Sequence, residues 1–152
     1  MKHKKLYKIA NKINKSNLSR KKIIELLGSF NPEFIGKGAY KRCFKVKCNK
    51  RILVFKIGRN IMDDFSHYQL SKGNRKAKYA KIYWTTEFCL LQKYCDTTLK
   101  YTDKEFNELK YAWKKKGFVD IRKANVGKIN DRLYAFDIIK SKKKGLHKIE
   151  EN

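Results

Sequence analysis

Apolar positions along the chain switch between helical and strand spacing, and the switches predict the elements in order. Leu6 to Ile13 carries a faint amphipathic pattern inside a very basic stretch. Leu18, Ile23, Ile24, Leu26 and Leu27 recur at helical spacing, with Ser16 or Asn17 placed to cap and Gly28 to stop. From Pro32 the texture changes. Phe34 to Tyr40, Arg42 to Lys47 and Ile52 to Ile57 read as three strands of an antiparallel meander, with a turn at Asn49-Lys50 and an end at Gly58. Asn60 to Lys72 predicts a short helix with Ile61, Phe65, Tyr68 and Leu70 facing inward. Tyr79 to Trp84 and Phe88 to Tyr94 read as two more strands around Thr85-Thr86-Glu87. Thr102-Asp103-Lys104-Glu105 has the spacing of a capping box and opens the clearest helix, which carries Phe106, Leu109, Tyr111, Ala112 and Trp113 and closes at Gly117. Val126 to Ile129 and Leu133 to Ile138, joined by Asn130-Asp131, predict a final hairpin. The expected class is α+β: a five-stranded antiparallel sheet with a short helix, then a smaller helical part ending in a hairpin.

Composition narrows the partners. The 152 residues are enough for one ordinary domain, and 41% hydrophobic content excludes a wholly disordered chain. The formal charge is +25, which disfavours a cationic substrate and favours a nucleotide, a nucleic acid, an acidic protein or a membrane surface. Lys, Asn, Ile and Tyr are abundant together, as in chains from AT-rich genomes, so drift in composition is a second reading of that charge. No apolar run approaches the ~20 residues of a membrane span, and the first residues have no apolar signal core, so a cytoplasmic protein is expected. Cys43, Cys48, Cys89 and Cys95 lack the paired spacing of zinc ribbons, and His3, His67 and His147 are scattered, which fits reduced thiols better than a metal site.

Four stretches bear on chemistry. Gly36-Lys37-Gly38 lets a strand turn aim backbone N–H groups at an anion, although glycines also simply mark turns and bulges. Lys56 shares a strand face with Ile52 and Val54, so its ammonium either meets an anion or snorkels to water. Asp120-Ile121-Arg122-Lys123-Ala124-Asn125 follows the clear helix and offers two oxygen donors around a cation, or an ordinary Asx turn. Asp137 ends an apolar strand, where a carboxylate needs a partner, a metal or a turn.

The order of these parts resembles the protein-kinase-like fold over residues 34 to 139. The resemblance implies an ATP- and Mg²⁺-dependent phosphotransferase acting on a protein Ser/Thr or small-molecule hydroxyl. It implies that Gly36 and Gly38 lie over the phosphates, that Lys56 holds the α- and β-phosphates, and that Gln92 is the gatekeeper. The backbone of Lys93 and Cys95 would pair with adenine, walled by Val54 and Phe136. Asp120 would be the catalytic base, Arg122 would neutralise the transferred phosphate, and Asn125 and Asp137 would hold the metal. The nucleotide would lie in a cleft between two lobes.

The sequence departs from the family pattern in several places. Lys41 stands where the third glycine would be, Phe118-Val119 precede Asp120, and Ile138-Ile139 follow Asp137. Asp64, rather than a glutamate, is the best partner for Lys56. Few residues of this sequence follow Asp137, so the expectation is a minimal kinase-like protein of phage or bacterial type without the activation segment and peptide-docking helices of ordinary kinases. The corresponding division is a basic N-terminal arm and helix at 1–30, a kinase-like N-lobe at 31–97, a reduced C-lobe at 98–139 and a basic tail at 140–152. A non-catalytic nucleotide-binding pseudokinase that binds a partner is the alternative. A third reading is a nucleic-acid binder using residues 1–22, with nine Lys or Arg and no acid.

Overall fold

The apolar run from Ile52 to Ile57 forms the middle of a sheet. Branched and aromatic side chains suit a pleated surface, and from Leu53 onward this strand is buried on both faces. The structure is a computed structural model and describes residues 1–37, 40–119 and 121–138. Its elements in order are α1 (Lys4–Asn11), α2 (Arg20–Leu27), β1 (Glu33–Lys37), β2 (Lys41–Cys48), β3 (Arg51–Gly58), α3 (Ile61–Ser71), β4 (Ile82–Thr85), β5 (Cys89–Lys93), α4 (Asp103–Lys115), β6 (Val126–Ile129) and β7 (Arg132–Ala135). Single 3₁₀ turns follow α2 and precede β6. The first five strands make one antiparallel sheet in the order β1-β2-β3-β5-β4, and β6 and β7 make a separate hairpin. No helix among the described residues is long and apolar enough to cross a membrane.

The chain divides into two compact units. The described residues among 1–65 and 81–94 form the first, and those among 66–80 and 95–138 the second, so one boundary falls within α3. In the first unit, period-two alternation sorts the sheet residues. Phe44, Val46, Leu53, Phe55, Ile57, Cys89 and Leu91 form one core cluster with Leu6, Ala10 and Ile13 of the α1 region and Ile23 and Leu27 of α2. Residues 1–22, read from the sequence as a basic arm or a very basic helix, thus supply an amphipathic cover for this face. Ser19 rather than Ser16 or Asn17 caps α2, its hydroxyl accepting from Lys22 N–H at 3.1 Å.

β2 and β3 approach closely at their shared end. A Cβ on Gly58 would sit 2.0 Å from Tyr40 O and 2.7 Å from Lys41 Cα, both backbone atoms that cannot swing away. Gly58→Ala is therefore expected to cost about 1–3 kcal/mol through forced backbone shifts. Urea denaturation measures it, and a midpoint equal to wild type would contradict this packing.

In the second unit, Thr102 and Glu105 form the expected capping box at the start of α4. Glu105 N–H donates to Thr102 Oγ1 at 3.1 Å and Thr102 N–H donates to Glu105 Oε1 at 2.9 Å. Phe106, Leu109 and Trp113 are the buried stripe of α4, whereas Tyr111 points to solvent. The β6–β7 hairpin turns at Asn130-Asp131, both with positive φ. Lys128 exchanges backbone hydrogen bonds with Asp96 at 2.9 and 3.0 Å, so the chain after β5 runs against β6.

Two sequence expectations are corrected here. The predicted strand Tyr79 to Trp84 starts only at Ile82. Tyr79 instead forms a parallel bridge with Ala135 of β7, in which Ala80 N–H donates to Ala135 O at 2.8 Å and Ala135 N–H to Lys78 O at 3.1 Å. The inner stripe of α3 is Ile61, Asp64, His67 and Ser71, while Leu70 is exposed. Polar groups took the inward positions because they have charged and aromatic neighbours there.

Candidate functional site

An ammonium group inside a sheet core is costly unless an anion meets it. Lys56 is 3% exposed, and its Nζ lies 3.4 Å from Oδ2 of Asp64, itself 2% exposed. The other oxygen of that carboxylate, Oδ1, lies 3.2 Å from Nζ of Lys41, which is 11% exposed. Two lysines from neighbouring strands thus share one aspartate delivered by the first turn of α3. Alternation on β3 keeps Lys56 and Val54 on one face, and register extends that face across the sheet. Gly36, Cys43, Lys56 and Leu90 form one cross-strand row, and Lys45, Val54 and Gln92 form the next. Gln92 is 1% exposed and Val54 is buried.

Gly36 is placed in β1 at a register shift with φ 149°, a conformation that favours glycine, and nothing lies within 4 Å of where its Cβ would be. Gly38 lies outside the described residues. Lys93 N–H donates to Lys81 O at 2.8 Å, so this donor is committed to the sheet. The Lys41 contact escaped the sequence reading, which saw Lys41 only as a departure from a third glycine. Register with Gly58 is what swings it to Asp64, and register is not visible in composition or period.

The second unit gathers the other candidates that it describes. Asn125 closes the 3₁₀ turn, its N–H donating to Arg122 O at 2.9 Å. Phe136 N–H donates to Asn125 O at 3.0 Å, and Tyr79 Oη donates to Phe136 O at 3.2 Å. Asn125 and Asp137 are therefore on adjoining stretches of backbone, both half-buried, and Arg122 is exposed. Cys95 is buried just after β5. Asp120 lies outside the described residues.

A groove of about 630 Å³ in this unit contains none of the sequence candidates; Lys78, Glu105, Glu108 and Arg132 are among its walls. Burial and the Arg132 charge pull the Lys78 ammonium down, opposed by Glu108. The Thr102 backbone N–H holds the Glu105 carboxyl below the usual carboxylate range, with Lys128 adding to the effect. Cations and carboxylates offset one another there.

No family model matches the chain. No curated protein matches it either. Among solved structures it is similar to the streptomycin-ATP-APH(2")-IIa ternary complex, with a TM-score of 0.37 and 14% sequence identity over 61% of this chain and 35% of that one. The chain thus spans about a third of that neighbour's length. At that score the likeness decides neither fold nor activity.

Proposed function

We propose that the chain is an ATP- and Mg²⁺-dependent phosphotransferase that moves a terminal phosphoryl group to a hydroxyl, of a protein Ser/Thr or of a small molecule. The observation that carries this reading is Lys56, buried in the middle strand and held by an acid from the following helix. A strand lysine fixed in that way is preorganised to meet an anion without first being dehydrated. The groups present fit such a ligand. Lys41 and Lys56 offer two ammonium groups around one carboxylate, suited to a polyphosphate, and Asn125 and Asp137 offer the hard oxygen donors that Mg²⁺ takes.

In this reading Lys56 holds the α- and β-phosphates, and the backbone at Gly36 and Gly38 lies over the phosphate chain. Val54 and Phe136 wall the adenine, whose edge meets the backbone of Lys93 and Cys95. Asn125 and Asp137 hold the metal, which when bound neutralises phosphate charge. Asp120 accepts the proton of the attacking hydroxyl, and Arg122 stabilises the transferring phosphoryl group.

A second reading is a nucleotide-binding module without transfer. The sharing of Asp64 between two lysines favours it, because Lys41 competes for the acid that orients Lys56. Calorimetry with ATP and Mg²⁺, then radiolabel transfer to the chain itself and to a panel of hydroxyl acceptors, separates the two. Asp120→Ala is expected to lower transfer by about 10²–10⁴-fold with ATP affinity little changed. Undiminished transfer would remove Asp120 from its role, and wild-type binding without transfer would establish the second reading. Failure to bind ATP would sink both.

A further inference from the structure

A second constellation lies in the first unit, among residues to which the phosphotransferase reading gives no role. β2 ends at Cys48, and Asn49, with φ 54°, turns the chain back into β3. α1 begins beyond His3, which sits at its N-cap in the left-handed region and makes no side-chain cap bond. These two ends meet: His3 Nδ1 lies 3.3 Å from Cys48 Sγ. The imidazole stands edge-on to Tyr83 at 4.9 Å between centroids, and its Nε2 is buried with no hydrogen-bond partner. A pocket of about 520 Å³ opens on the pair, its walls including Lys4, Lys5, Lys47, Leu6 and Phe30 and no acidic residue.

We propose that Cys48 is a thiol–disulfide exchange site, with His3 as its base and a small carboxylate-bearing disulfide as its partner. The attacking species in such exchange is a thiolate, so the thiol proton needs an acceptor within reach. His3 is placed for that. Burial, with the charges of Arg51 and Lys2, holds its imidazole below the usual histidine range, so the ring is neutral near pH 7 and its role as acceptor rests on the 3.3 Å approach of Nδ1 to the sulfur. The Cys48 S–H proton passes to His3 Nδ1, and the sulfur attacks one sulfur of the disulfide. The disulfide bond breaks, and its other half leaves as a thiolate that recovers the proton from the imidazolium. The disulfide is the oxidant, and the products are a mixed disulfide on Cys48 and one small thiol. Three lysines around the opening select a negative partner, while Leu6 and Phe30 provide apolar contact for its body.

A metal reading of the same pair has too few ligands: among the described residues no group of three or more His, Cys, Asp or Glu is placed to hold an ion. The other thiols are poor competitors. Cys89 and Cys95 are buried, and burial pushes the Cys89 thiol up to about 12. Cys43 is partly exposed and is the internal control.

The test is stopped-flow reaction of the full chain with Ellman's reagent, a dianionic disulfide, and with cystamine, a dicationic one. The modified cysteine is located by peptide mass. Cys48 is expected to react first, Cys48→Ser to lose the fast phase and Cys43→Ser to keep it. His3→Gln should slow that phase about tenfold with both reagents. Replacing Lys4, Lys5 and Lys47 by Gln, all exposed and outside the core, should slow Ellman's reagent alone about tenfold. A fast phase that survives Cys48→Ser, a His3→Gln rate equal to wild type, or equal response of both reagents to the lysine changes would each overturn the proposal. Circular dichroism of each variant confirms that the fold is intact.

Discussion

Asp64→Ala is expected to remove about 3–5 kcal/mol of folding stability, the largest loss from any single charge in the first unit. The carboxylate is nearly inaccessible and takes one ammonium on each oxygen, Lys41 at 3.2 Å and Lys56 at 3.4 Å. Alanine leaves two cations facing a site from which their shared counter-charge has gone. Desolvation of a charge is repaid only while its partner is present, so the cost of removing that partner exceeds what the ion pair contributes over an apolar replacement. Lys41→Met should cost less, because it leaves the Lys56–Asp64 pair standing. With a total stability of about 5–15 kcal/mol in ordinary domains, the aspartate variant is expected to be marginal. Urea denaturation of Asp64→Ala and Asp64→Asn checks it. A loss below about 1 kcal/mol in both would mean that the carboxylate is not what holds the lysines inside.

Trp113→Ala is expected to cost about 3–5 kcal/mol in the second unit. Its indole is fully buried, with His67, Tyr79 and Phe118 at centroid distances of 6.4, 6.0 and 5.8 Å, all edge-to-face. Alanine forfeits the transfer energy of the ring and leaves a cavity walled by three other rings, which cannot collapse without disturbing the contacts of His67 with Tyr79 and Phe118. The lost hydrogen bond from Nε1 to Lys78 O, 3.3 Å, matters less, since that carbonyl also accepts from Ala135 N–H. Trp113→Phe should therefore recover much of the loss. Thermal unfolding followed by circular dichroism measures both; equal midpoints for the alanine and phenylalanine variants would show that packing is not the source.

The fold was legible where a residue's own chemistry decides its neighbourhood. The run from Ile52 to Ile57 had strand written in its branched and aromatic side chains, and Thr102 and Glu105 announced α4 through a bond they make locally. It was illegible where a distant partner decides. Nothing near Tyr79 says that it will lie beside Ala135 rather than extend β4. On α3 the apolar pattern pointed inward through Phe65, Tyr68 and Leu70, whereas the helix turned Asp64 and His67 inward. That rotation is set by the lysines of β2 and β3 and, further along, by Tyr79, Trp113 and Phe118. The same limit applied to the candidate site. Lys56 was conspicuous as a cation in an apolar run, and Asp64 was found as its best partner. Lys41, which holds the other oxygen of Asp64, needed the β2–β3 register, and the His3–Cys48 pair joins residues that sequence spacing places far apart.

The apolar stripe of α1 shares its cluster with residues spread from Ile23 of α2 to Leu91 of β5. Leu6 and Ala10 belong to the same cluster as Phe55 and Leu91, so during synthesis the first helix leaves the ribosome long before the strands that will shelter it exist. Such distant pairing slows folding and leaves a greasy, strongly cationic segment waiting in the open. Expression yield should accordingly depend on how fast ribosomes cover the stretch from α2 to β5, with slow codons there favouring aggregation of the nascent chain.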